Sequence, residues 1–316
     1  MYRRNYLKWD AETLEAKRTV NKDLKNIKVS FIGLGVMGFP MAGHLAQKGY
    51  SVTVYNRTIT KSQAWLKKFS GSIAPRLIDC VNADYIVTCV SNDQALKDIF
   101  WGSAKLIDHI APGTIVIDHS TTTVDVAKDI DAALQERQAY FLDAPVSGGQ
   151  AGAEQGILTI MAGGNQQAYN QAETIFTAYG RNSVYMGPSG SGQLTKMVNQ
   201  ICIAGVIQSL AEGLEFAHNA GLDQGKVIRA ISNGAAASWQ MHNRAETMIK
   251  GKFDFGFAVN LMKKDLMICL NEAVKNNSSL PITSLIAQFY TQLQQKNGGS
   301  LDTSSLIKLL QKSGNM

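Results

Sequence analysis

Cysteine, proline and histidine are scarce in this 316-residue chain, at four, six and five residues. Cys80, Cys89, Cys202 and Cys269 form no C-x-x-C pair, and His44, His109, His119, His218 and His242 are widely spaced. Neither a disulfide framework nor a metal site is therefore expected, and reduced thiols point to a cytoplasmic protein. Long apolar runs are also lacking. None approaches the ~20 residues that span a bilayer, and no signal-peptide pattern opens the chain, so no membrane partner is expected. The net charge is +6, but residues 1–28 hold eight Lys or Arg against four Asp or Glu. That leaves +2 for the rest, too little for a nucleic-acid surface. The acids Asp10, Glu12 and Glu15 also argue against an organellar transit peptide. The length and an apolar share of 45% instead suit a globular chain with two cored domains.

The most informative stretch is Lys28 to Thr58, an apolar strand, a glycine turn, a helix and a second strand. Gly33, Gly35 and Gly38 give the spacing G-x-G-x-x-G directly after Val29-Ser30-Phe31-Ile32. The first glycine permits a tight turn, the second lets a pyrophosphate approach the backbone, and the third lets the helix pack on the strand. The turn Gly33-Leu34-Gly35-Val36-Met37-Gly38 is thus a candidate dinucleotide site, with the helix N-terminus facing the anion. A NAD site usually carries an acid at the end of the second strand, but Asn56-Arg57-Thr58 stands there. The Arg57 guanidinium can grip a 2′-phosphate, with Asn56 and Thr58 as neutral donors, so NADP(H) is expected in preference to NAD.

Residues 1–26 precede this pattern and read as an extension of unassigned role. From 27 to 189, strand and helix patterns alternate, as in an α/β doubly wound sheet of the Rossmann type. Strands are predicted at 27–32, 51–55, 85–90, 114–118, 139–142, 158–162 and 183–186. Ligands sit at the C-terminal ends of parallel strands, which places Val90, Ser91 and Thr121 near the cofactor. Beyond Gly187-Pro188-Ser189-Gly190 the pattern is helical only, giving an all-α domain over 190–316. It opens with one long helix, 193–220, apolar on several sides, which joins the domains. Further helices are predicted at 223–232, 237–250, 258–276, 282–296 and 303–312.

Four segments in order, GLGVMGFPMA (33–42), DAPVSGGQAGAEQG (143–156), GSGQLTKMVNQ (190–200) and KDL (264–266), make the chain resemble the β-hydroxyacid dehydrogenase family. That family includes 3-hydroxyisobutyrate dehydrogenase, tartronate semialdehyde reductase and the glyoxylate/succinic semialdehyde reductases. The resemblance implies hydride transfer between NADP(H), or NAD(H), and a short β-hydroxyacid or its semialdehyde, in a homodimer or homotetramer. It places the substrate carboxylate on Ser147, Gly148 and Gly149, whose residue types suit it: a hydroxyl and two unobstructed backbone N–H groups form an anion nest. Ser120 matches the family's other substrate-binding serine. Lys196 is the expected acid/base, since the alkoxide left by hydride addition needs a proton that a lysine can supply. Burial would lower its pKa toward the working range.

Asn199 lies three residues on and shares the face of Lys196, where it can orient substrate and lysine. Some relatives have Asn at the next position, where this chain has Gln200. The related 6-phosphogluconate dehydrogenases have His in place of Asn199 and a longer helical domain, which makes phosphogluconate an unexpected substrate. The resemblance also implies that Phe257 packs near the nicotinamide, Lys264 reaches the cofactor and Asp265 fixes that arrangement, with Phe257 and Lys264 on one helix face. Trp239, with Gln240, Asn243 and Arg244, is expected to close the substrate pocket. Two alternatives remain: a non-catalytic dinucleotide-binding scaffold, and an imine reductase on the same fold. Relatives of both kinds generally lack the lysine present here.

Overall fold

A computed structural model describes residues 24–311, so most of the basic N-terminal segment and the end of the last expected helix lie outside the described residues. Nine strands make one sheet: β1 (Lys28–Ile32), β2 (Ser51–Tyr55), β3 (Ser72–Ile73), β4 (Tyr85–Thr88), β5 (Ile115–Asp118), β6 (Tyr140–Asp143), β7 (Val146–Ser147), β8 (Leu158–Gly164) and β9 (Gly180–Gly187). Its spatial order is 3-2-1-4-5-6-8-7, with β9 also beside β8. The first six strands are parallel in the Rossmann order, which reverses between β1 and β4. β8 departs from the parallel run: it lies antiparallel to β6 and β7 and parallel to β9. Two-residue β3 and β7 were invisible in the sequence because they are too short to show a period of two.

Helices α1 (Gly38–Lys48), α2 (Ile59–Leu66), α3 (Asp93–Trp101), α4 (Val124–Gln135), α5 (Gly149–Gln155) and α6 (Gln166–Tyr179) connect the strands. The central strands β1, β4, β5 and β6 are buried on both faces, as parallel sheets require. Alternate residues of β1 feed different cores: Val29 and Phe31 pack with Met41, Leu45 and Ile175 on one side. Ile32 packs with Leu96, Phe100 and Ile130 on the other.

Among the described residues, β9 is followed by helices without further strands: α7 (Ser191–Asn219), α8 (Gln224–Ile231), α9 (Trp239–Ile249), α10 (Val259–Lys275), α11 (Pro281–Gln295), and a 3-10 segment over Thr303–Leu309. Contrary to the expectation that no segment is apolar enough, α7 could cross a bilayer by length and mean hydropathy, 1.2. Here it is the centre of the helical core, with Ala204, Ile207, Leu210 and Leu214 packed against Met262, Leu266, Tyr290 and Leu293. A smaller cluster joins the two halves: Val124 of α4, Met197 of α7, and Ile268 and Cys269 of α10. It lies one residue from Lys196.

Candidate active site

Five of the eleven α-helices among the described residues start on a side-chain cap. Asn92 accepts from Ala95 N at 2.9 Å, Asn165 from Ala168 N at 3.0 Å, and Ser238 from Met241 N at 3.0 Å. At the start of α1 the Met37 position supplies none, Phe39 N and Met41 N are taken by Gly35 O and Met37 O, and Pro40 has no N–H, which leaves the turn around Gly35 to Gly38 to meet an anion. The three glycines divide as their spacing implies. A methyl on Gly33 (φ +102°) would sit 2.3 Å from Cys89 O, and one on Gly38 2.0 Å from Gly33 O. One on Gly35 would meet nothing within 4 Å, leaving an open cradle of the kind a pyrophosphate fills. Leu34 N donates to Asn56 Oδ1 at 3.0 Å, and Asn56 Nδ2 donates to Thr58 O at 3.0 Å. Asn56 therefore ties the glycine turn to the end of β2, with one amide hydrogen left over. Arg57 and Thr58 are exposed beside it, as are Gly35 and Val36. These residues fit a nicotinamide dinucleotide.

Next to the turn, Val90 N donates to Ser120 Oγ at 2.9 Å, and Ser120 Oγ donates to Asp118 Oδ1 at 2.6 Å. Thr88 Oγ1 donates to the same oxygen at 2.7 Å. Burial pushes the Asp118 carboxyl up to about 6, against these hydrogen bonds. Ser120 is 2% exposed and its hydrogen is committed to Asp118, so it ties the β4 and β5 loops together instead of pointing at a substrate. Its neighbour His119 is buried, and desolvation lowers its pKa to about 4. The ring is neutral, with Nδ1–H donating to Ala144 O (2.6 Å) and Nε2 accepting from Tyr179 Oη (2.8 Å). That arrangement is structural, not acidic.

The second motif starts at the end of β6. Asp143 accepts from Gly190 N and Gln193 N, both at 2.8 Å, one on each carboxylate oxygen. It thereby caps α7 from outside, in a site where burial pushes the carboxyl up to about 7. Gln193 completes the join: its Nε2 donates to Ser120 O (2.8 Å) and its Oε1 accepts from Thr122 N (3.1 Å). Close approach needs Gly192, where a methyl would meet Asp143 O at 2.2 Å. Neither Asp143 nor Gln193 was picked out as a site residue from the sequence. Their signal was position alone, at the head of the nest motif and inside the lysine motif.

Four residues beyond Asp143, Ser147 is half-buried on β7, and Gly148 (φ +135°) and Gly149 (φ +61°) turn their backbones toward solvent. A methyl on Gly149 would meet nothing within 4 Å, and α5 starts there without a side-chain cap. That is the geometry of an open anion nest. Ser147 Oγ donates to Asn199 Oδ1 at 3.3 Å, which brings the nest against the lysine helix. Lys196 is 8% exposed. Desolvation brings its pKa down to about 8, partly opposed by Asp265 and assisted by Lys264. An amine held there changes protonation near neutral pH.

From α10, Lys264 Nζ donates to Thr121 O and lies 2.8 Å from Asp265 Oδ1, while Asp265 Oδ2 accepts from Gln200 Nε2 at 2.6 Å. Lys264, Asp265 and Thr121 are thus brought together at the C-terminal edge of the sheet. Phe257 departs from expectation: α10 begins at Val259, so Phe257 is not on its face. Gly256 (φ +76°) bends the chain before it, and Phe257 N donates to Asp302 Oδ2 at 2.9 Å. Trp239 is exposed on α9 and carries the Arg244 guanidinium 5.0 Å from its ring centre. Arg244 Nε in turn lies 3.3 Å from Asp302 Oδ1. Trp239 and Phe257 are thus linked to each other through Arg244 and Asp302.

Two family models match successive parts of the chain. Residues 28–187 match the family model for the NAD binding domain of 6-phosphogluconate dehydrogenase. Residues 190–310 match that for the NAD-binding region of NADP-dependent 3-hydroxyisobutyrate dehydrogenase. An uncharacterized oxidoreductase of Shewanella frigidimarina is 52% identical, covering 90% of this chain and 99% of its own. The 2-hydroxy-3-oxopropionate reductase of Escherichia coli is 31% identical over 92% and 99%. Among solved structures, Mycobacterium tuberculosis 3-hydroxyisobutyrate dehydrogenase with L-serine superposes with a TM-score of 0.82 at 25% identity, covering 90% of this chain and 99% of that one.

Proposed function

The chain belongs to the β-hydroxyacid dehydrogenase family of NAD(P)-dependent oxidoreductases, and from that premise we propose that it interconverts a short β-hydroxyacid and its semialdehyde with Lys196 as general acid/base. One observation carries this reading. Lys196, buried and lowered to about 8, shares a helix face with Asn199, which hydrogen bonds Ser147 of the Ser147-Gly148-Gly149 nest. A proton donor and an anion site are thereby built into one place.

The bound nicotinamide supplies or accepts the hydride. The turn from Gly35 to Gly38 receives the pyrophosphate on backbone N–H groups, and Arg57 with Thr58 takes the ribose phosphate, so NADP(H) is preferred over NAD(H). Lys264 and Asp265 shape the cofactor side through Thr121, alongside Val90 and Ser91, with Phe257 and Trp239 as outer contributors. The substrate carboxylate sits on the N–H groups of Gly148 and Gly149. In reduction, the Lys196 ammonium gives its proton to the oxygen that becomes the hydroxyl, and its charge stabilises that oxygen while negative charge builds up. In oxidation the neutral amine takes the proton back. Ser120 serves by holding the β4 and β5 loops in place.

Domains at 27–189 and 190–316 follow the change from sheet to helices. Apolar side chains exposed on α7, among them Leu194, Val198 and Phe216, support a homodimer or homotetramer, and four free cysteines support a cytoplasmic setting. The test is a panel of small semialdehydes and hydroxyacids assayed at the NADPH absorbance band with both cofactors. Turnover of at least one carboxylate-bearing member, faster with NADPH than NADH, is expected. Inactivity across the panel with tight NADPH binding would overturn the enzyme reading, and faster turnover with NADH the cofactor reading.

A further inference from the structure

Gln200 is 2% exposed and sits between the two halves of the site with both ends of its amide engaged. Its Oε1 accepts from Asn199 Nδ2 at 2.8 Å, and its Nε2 donates to Asp265 Oδ2 at 2.6 Å. An ionised carboxylate only accepts, so the nitrogen end of Gln200 must face Asp265 and the oxygen end must face Asn199. That fixes the next amide: Asn199 must direct Nδ2 at Gln200 and Oδ1 at Ser147, whose hydroxyl is then the donor. Three donors in series, Ser147 to Asn199 to Gln200 to Asp265, all point toward one buried negative charge. Chains of this kind polarise one another in the same direction.

We propose that Gln200 is a positioning residue for the reaction, one that fixes the orientation of Asn199, and with it the hydrogen-bond polarity of Ser147, while engaging the Asp265 charge beside Lys196. The proposal rests on the reading of Lys196 as acid/base. It has a consequence for substrate recognition. With its hydrogen committed to Asn199, Ser147 offers the substrate lone pairs, so it accepts from the substrate hydroxyl while the Gly148 and Gly149 N–H groups hold the carboxylate. The length of the side chain is specific as well. An Asn at 200 is one methylene shorter and cannot span from Asn199 to Asp265, so it keeps only one of the two bonds.

The charged and titratable groups facing Lys196 are Asp265, Lys264 and Cys269, all on α10. Removing the Gln200 donor leaves more of the Asp265 charge acting on Lys196, which favours its protonated form. The test compares Gln200→Leu, Gln200→Asn and Lys196→Ala with the unaltered enzyme, using NADPH and the most active semialdehyde of the panel. For Gln200→Leu the expected results are a KM raised about tenfold, the loss of about one hydrogen bond, and an NADPH Kd within about twofold of the parent. The alkaline limb of kcat should also move to higher pH. Gln200→Asn should fall between the two and carries the same readouts if Gln200→Leu does not fold. An inactive Lys196→Ala together with an unchanged KM and alkaline limb in the Gln200 variants overturns the role of Gln200 alone. An active Lys196→Ala overturns the acid/base reading itself.

Discussion

Replacing Lys196 with Met should stabilise the protein while abolishing its activity, because the lysine is held where its charge is unwelcome. Its pKa drops from the ordinary 10.5 to about 8, mainly through desolvation. At about 1.4 kcal/mol per pH unit, that drop costs the folded state about 3 kcal/mol. The sign follows from proton counting. Between pH 8 and 10.5 the unfolded chain binds the proton and the folded one does not, so stability rises with pH across that window. The full cost is therefore present below pH 8 and gone above 10.5. Met fills similar volume without a charge, so at pH 7 Lys196→Met should melt roughly 5–10 °C higher, taking a few degrees per kcal/mol for a chain of this size. Near pH 10 the gain should shrink to a small fraction. The assay is thermal unfolding of the cofactor-free protein at both pH values, beside turnover with NADPH. Equal melting temperatures at pH 7, or a gain as large at pH 10 as at pH 7, would refute the reasoning.

The glycine turn gives a second expectation, in which two substitutions of the same size separate binding from folding. Gly35→Ala places its methyl in open space, so it should leave the melting temperature unchanged and weaken NADPH binding tenfold or more by fluorescence titration. Gly38→Ala drives its methyl to 2.0 Å from Gly33 O and should destabilise the fold by roughly 2–4 kcal/mol in urea unfolding. Asp143→Asn keeps one acceptor for the two N–H groups at the head of α7 and turns a donor toward the other. It should cost about 2–3 kcal/mol of stability and lower kcat, since Lys196 sits three residues beyond Gln193. Full activity with an unchanged melting temperature would remove Asp143 from the join.

Local features were legible in the sequence wherever chemistry and spacing coincide. The G-x-G-x-x-G spacing needs only a strand before it and a helix after it, and the structure gives each glycine the packing that the spacing implies. Strands β1, β4 and β5 announced themselves by apolar runs that bury on both faces. Short strands did not, and β7, which carries Ser147, was hidden for that reason. Phe257 was read onto the helix of Lys264 because the pattern continues through it, but the bend at Gly256 and the bond to Asp302 take it off the helix. An expectation based on periodicity has no means of seeing an acceptor that lies 45 residues away.

The sequence by itself determined the cofactor turn, the change from sheet to helices near residue 190, and the pairing of Lys196 with Asn199 on one helix face. Each follows from a local rule: a turn, a period or an i to i+3 spacing. Only the tertiary structure decided where the polar hydrogens go. It turned the Ser120 hydroxyl inward to Asp118 and set Asp143 as the cap of the lysine helix. It also stretched Gln193 across to the β5 loop and linked Gln200 to Asp265. Three of these partners are 47 to 73 residues apart, and the donor and acceptor types alone allow many pairings. The packing of α7 between the sheet and α10 selects one of them, because a buried polar group without a partner costs more than the fold can spare.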